Sequence, residues 1–70
     1  MNRYLVVIEK AEKNYAAYVP DLPSCIAAGK TVKETENLIH KAIQSHIKGM
    51  KEDNLPIPKA SALAEYIAVQ

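Results

Sequence analysis

The sequence predicts an α+β fold, β-β-β-α-β: a mixed four-stranded sheet with one helix packed on one face. Three observations predict it. Residues 3–9, 15–19 and 25–29 are short runs of β-branched, aromatic or small apolar residues, divided by turn-forming residues. Thr31 and Glu34 form a capping box ahead of apolar residues spaced by three and four. Pro56 and Pro58 then block continuation, and residues 62–69, ALAEYIAV, resume an apolar pattern.

The first strand, residues 3–9, places Tyr4, Val6 and Ile8 on one side and Leu5, Val7 and Glu9 on the other. Both sides are largely apolar, which predicts a central strand covered on both faces. Polar residues 10–14 end in Asn14, a turn former, so residues 15–19, YAAYV, complete a hairpin. Pro20 and Pro23 cannot donate to a ladder and are expected to end that strand around a Pro20–Pro23 turn. The third strand is expected from Cys25 to Gly29.

The helix is expected over residues 32–52. Thr35, Leu38, Ile39, Ala42, Ile43, His46, Ile47 and Met50 form its apolar stripe, opposite Lys33, Glu36, Asn37, Lys41, Gln44 and Lys48. Asp53 and Asn54 can cap its C-terminus. Residues 62–69 fit either strand or helix, since alanine favours helix. A strand is favoured, because three short strands are a thin platform for five turns of helix. It is expected beside the first strand and parallel to it, with the helix as the crossover.

Seventy residues with a net charge of +1 bound the function. One domain, 1–70, is the most such a chain forms, and its core is small enough to call for help from a partner. Cys25 is the only cysteine, so no internal disulfide supplies that help, and a reducing, cytoplasmic setting is expected. Nine basic and eight acidic residues are interleaved, without the basic stripe of a nucleic-acid module. No run approaches the ~20 apolar residues that span a bilayer, so no membrane partner is expected. A single helix leaves one sheet face bare, which predicts a homodimer or higher homo-oligomer formed through strands.

Few residues carry chemistry. His40 and His46 are about 240° apart around a helix and cannot share a metal. Cys25 has no evident base beside it and reads as a small core residue. No catalytic, metal or cofactor site is expected. Asp21, held between two prolines, reads as a turn aspartate or as an acid shown to a basic partner. Tyr15 and Tyr18 have opposite parity, so one of them faces outward, as suits an interface. The candidate partner-binding residues are therefore Tyr15, Tyr18, Pro20, Asp21, Leu22 and Pro23.

Taken together, YAAYVPDLPSCIAAGKTVKE, then HIKGMKEDN and LPIP, resembles the HicB antitoxin family. That family typically reads V-P-D-L-P-G-C, an alanine-rich strand, G-x-T-x-x-E-A, a helix and G-x-x-I-P-x-P. The match runs from about Tyr4 to Pro58, with Ser24, Thr35 and Asn54 replacing the usual glycine, alanine and glycine. The resemblance implies a partial ribonuclease H-like fold. It also implies an antitoxin of a type II toxin-antitoxin system that neutralises a HicA-type mRNA ribonuclease by covering its active site. Many members carry a C-terminal DNA-binding module. A chain ending at Gln70 has no room for one, so no direct nucleic-acid binding is expected. The alternative is a stand-alone homo-oligomeric domain that binds another protein or a small ligand, without a toxin partner.

Overall fold

A computed structural model describes residues 3–70. Three antiparallel strands precede one helix: β1 Val7–Lys10, β2 Tyr15–Val19, β3 Leu22–Gly29 and α1 Val32–Glu52. The sheet order is β1-β2-β3. Lys10 sits opposite Tyr15 and Val7 opposite Tyr18, so the start of β1 lies at the same end of the sheet as the β2–β3 turn. At the other end Ala11 donates its N–H to Asn14 O at 2.8 Å, and the Lys10 ammonium lies 5.6 Å from the Tyr15 ring centroid.

One side of the sheet carries the helix. Ala17 and Val19 of β2, Leu22 and Cys25 of β3 and Ile39 of α1 form the buried core, and Tyr4, Val6, Ile8, Ile43 and Ile47 pack around it. The stripe is narrower than expected, because Leu38 turns away from the sheet and is exposed.

The helix ends follow local chemistry. Thr31 is the N-cap: its hydroxyl accepts from Glu34 N at 3.0 Å, while the Glu34 carboxylate reaches back to Lys30 N at 2.9 Å. The reciprocal partner is thus the Lys30 amide, one residue earlier than a standard capping box places it. At the C-terminus Asp53 is the cap, and Asn54 takes the left-handed conformation at φ 56°. Leu55 N donates to Met50 O and Asn54 N to Lys51 O, the paired bonds of a Schellman ending. Asparagine tolerates that conformation better than most residues.

Three expectations change. β3 starts at Leu22, so the hairpin loop is the pair Pro20–Asp21, and Pro23 lies within the strand. The register slips between Tyr18 and Val19, where three residues of β3 bulge out. An edge strand with a bulge is where a residue without an N–H fits. Second, β1 is an edge strand of four paired residues, although its sequence is patterned for a centre. Third, the described residues hold a three-stranded antiparallel sheet. Residues 62–69 are neither helix nor strand and form no part of that sheet. An isolated strand has no bonds of its own, and this one is drawn elsewhere, as described next.

Candidate functional site: the turn end and the outer sheet face

The β2–β3 turn, the start of β1 and the end of α1 meet at one end of the domain, and the tail crosses them there. The Tyr4 hydroxyl donates to Pro58 O. Three residues on, the Asp21 carboxylate accepts from Ser61 N at 3.0 Å, Ala62 N at 3.2 Å and Ser61 Oγ at 3.0 Å. These bonds to the Ala62 and Ser61 backbone hold the Asp21 pKa below the ordinary carboxylate value. An ionised carboxylate accepting backbone N–H groups is the stronger sort of hydrogen bond. The aspartate is therefore a clamp on the tail in this chain. No sequence pattern ties Asp21 to Ser61, 40 positions away, although the short polar Ser61 after a proline-rich link is the type of residue such a clamp takes.

The remaining candidates divide by side-chain direction. Tyr15 has the parity of Ala17 and Val19 and lies half-buried on the helix side. Tyr18 faces outward at 42% exposure, opposite Ile26 at 70%. With Ala16 and Ala28 they line a shallow apolar hollow of about 560 Å³ on the face that α1 leaves bare. Ile26 is the member that sequence reading passed over, since alternation along β3 is obscured by the bulge. Pro20 and Pro23 are exposed, whereas Leu22 is buried at 1% and belongs to the core.

Cys25 is buried, its thiol 3.9 Å from Ala42 O, and burial raises its pKa. That environment disfavours the reactive thiolate. Among the described residues no three histidine, cysteine or acidic side chains could share a metal ion. No helix of the described residues is long and apolar enough to cross a membrane.

Among the described residues the sheet has one face covered by the helix and one bare apolar face. Over residues 4–70 the chain matches the family described as HicB_like antitoxin of bacterial toxin-antitoxin system, and it belongs to that family. It is 41% identical over 64 residues to the "Uncharacterized 14.9 kDa protein in rep-hol intergenic region" of Haemophilus phage HP1, a match covering 91% of this chain. The chain spans about half of that relative, 48% of its length. It is 39% identical over 49 residues to a "UPF0150 protein" of Helicobacter pylori strain J99, covering 70% of this chain and 68% of the relative.

Proposed function

We propose that this domain is the protein-binding part of an antitoxin, neutralising a HicA-type mRNA ribonuclease by covering its active site. Family membership supports a toxin partner in general. The observation that carries the reading is the bare outer face, where Tyr18 and Ile26 stand together on a rigid sheet. An apolar, aromatic-containing patch rimmed by polar groups suits a partner surface. In this proposal Tyr18, Pro20 and Pro23 touch the toxin, Tyr15 and Leu22 support them from the helix side, and Asp21 sets the tail. Catalysis has no part in it, in keeping with a family of antitoxins. Self-association, a cytoplasmic location, absence of direct nucleic-acid binding and a ribonuclease H-like sheet completed by a fourth strand belong to the same proposal.

The test pairs this chain with a small basic protein encoded in the neighbouring reading frame. Co-purification, and loss of that protein's RNA cleavage on mixing, are the expected results. Tyr18→Asp combined with Ile26→Asp should weaken binding by on the order of 2 kcal/mol, about thirtyfold. Either no complex with the wild-type chain or an unchanged affinity for the folded double variant overturns the reading.

A further inference from the structure

A second apolar surface lies beside the free edge of β1. Tyr4, Val6 and Ile8 on one side and Ile39, Ile43 and Ile47 on the other line two adjoining hollows of about 490 and 460 Å³. Among the described residues β1 pairs with β2 alone, so no strand takes the backbone bonds of its other edge. The sequence of residues 3–9 is nonetheless that of a central strand, apolar on both sides. One strand is missing there, and the same chain carries a candidate for it.

Residues 62–69 lie in no helix or strand, and from Leu63 onward they are exposed. Leu63, Ile67 and Val69 are 89%, 76% and 88% exposed, and the Tyr66 ring is fully exposed. Read as a strand, Leu63, Glu65, Ile67 and Val69 share one side, while Ala62, Ala64, Tyr66 and Ala68 share the other. The first side suits the isoleucines of the groove, and Glu65 suits Lys48 or Lys51, which line it together with His40, Gln44 and Glu52. Eight extended residues span about 26 Å, close to the about 23 Å of the seven residues from Tyr4 to Lys10.

The path of the tail decides whose edge it serves. It leaves Tyr4, at the β1 side, and is caught by Asp21 at the β2–β3 turn. Three bonds to that carboxylate carry it across the sheet end, away from its own β1 edge. We propose that residues 62–69 add as a strand to the β1 edge of a second copy of this chain, whose own tail returns the exchange. The occupant of the groove is therefore the tail of an identical chain. Reciprocal exchange makes a closed two-fold dimer, covers both tails and turns each β1 into the central strand its sequence describes. Asp21 acts as the hinge post that aims the tail outward. The inference deepens the self-association reading above by naming both segments, and it leaves the Tyr18–Ile26 face free.

Sedimentation or light scattering across a dilution series, with no toxin present, tests it. The wild-type chain should have the mass of two chains. Ile67→Asp with Val69→Asp should raise the dimer dissociation constant on the order of 100-fold or more. Ile47→Glu in the groove should do the same, and an equal mixture of the two folded variants should recover dimer, since one intact tail meets one intact groove. Should the groove variant not fold, isotope-filtered NOEs in a mixture of labelled and unlabelled wild-type chains replace it. Contacts between chains from the Ile67 and Val69 methyls to Ile43 are then expected. A wild-type monomer overturns both the exchange and self-association. A dimer that survives the tail substitutions, fails to complement or shows those contacts only within one chain overturns the exchange and leaves association by another surface.

Discussion

Gly29→Ala probes a close approach between β3 and α1. A Cβ added at Gly29 would lie 2.8 Å from Thr35 Oγ1, 3.0 Å from Glu34 Oε1 and 3.0 Å from Thr35 N. The glutamate carboxylate can swing away. The other two atoms cannot: Thr35 is fully buried, with its hydroxyl bonded to Thr31 O at 2.7 Å, and its backbone N–H bonds the same carbonyl at 3.0 Å. Overpacking of this kind costs about 1–3 kcal/mol. Loss of glycine's unfolded-state freedom returns about 0.4–1 kcal/mol. A net loss of about 1–2 kcal/mol follows, which in a domain this small lowers Tm by on the order of 10 °C. Urea unfolding at one fixed protein concentration reads it, since an associating chain has concentration-dependent stability. A double-mutant cycle with Thr35→Ala sharpens the test. Removing the hydroxyl relieves the 2.8 Å contact, so the two changes should couple favourably by about 0.5–1.5 kcal/mol. A Gly29→Ala variant within about 0.3 kcal/mol of wild type, or strict additivity, refutes the argument that glycine is there for space.

Other outcomes follow from the same contacts. Ile39→Ala, at a position 3% exposed in the core, should cost about 2–5 kcal/mol, enough to unfold much of the population in circular dichroism melts. Thr31→Ala removes the N-cap acceptor and should cost about 1 kcal/mol in urea titrations, against a few tenths for Thr31→Gly. The Asp21 pKa is lowered in the folded chain, so its contribution is present above the unfolded carboxylate value and is lost as pH falls through the lower folded one. The Ser61 and Ala62 amide signals should therefore shift only below the ordinary aspartate range, and Asp21→Asn should abolish that titration; amides that titrate at the ordinary value would show the clamp does not form. Burial raises the Cys25 thiol pKa, so a thiol reagent at mildly alkaline pH should react slowly with the native chain and rapidly in denaturant.

The clamp and the two apolar surfaces divide the labour of a small domain. Among the described residues the core holds five buried apolar side chains, and the helix covers one sheet face. Such a chain gains from partners, because its own interior is too small to dominate its stability. The groove by β1 and the Tyr18–Ile26 face are on different sides of the sheet, so occupation of one does not block the other. An exchange dimer would present two copies of the outer face, which increases the effective concentration for any paired partner.

Much of this architecture is readable from short-range chemistry. The Thr31–Glu34 cap, the Schellman ending at Asn54, the residue 10–15 turn and the opposite directions of Tyr15 and Tyr18 all arise from groups a few positions apart, so period and spacing reveal them. The burial of Cys25 follows from its small apolar side chain. Other features needed the assembled chain. Pro23 reads as a strand terminator, yet it sits inside β3 because that strand is an edge and can bulge. Ile26 becomes part of the outer face only once the bulge has set its register against Tyr18. Residues 62–69 have the pattern of a strand, but a strand exists only through its neighbour, and Asp21 turns the tail from the nearest one. Local patterns report which groups lie near in sequence. Which edge stays open, and what the Asp21 carboxylate holds 40 residues later, depends on distances that only folding creates.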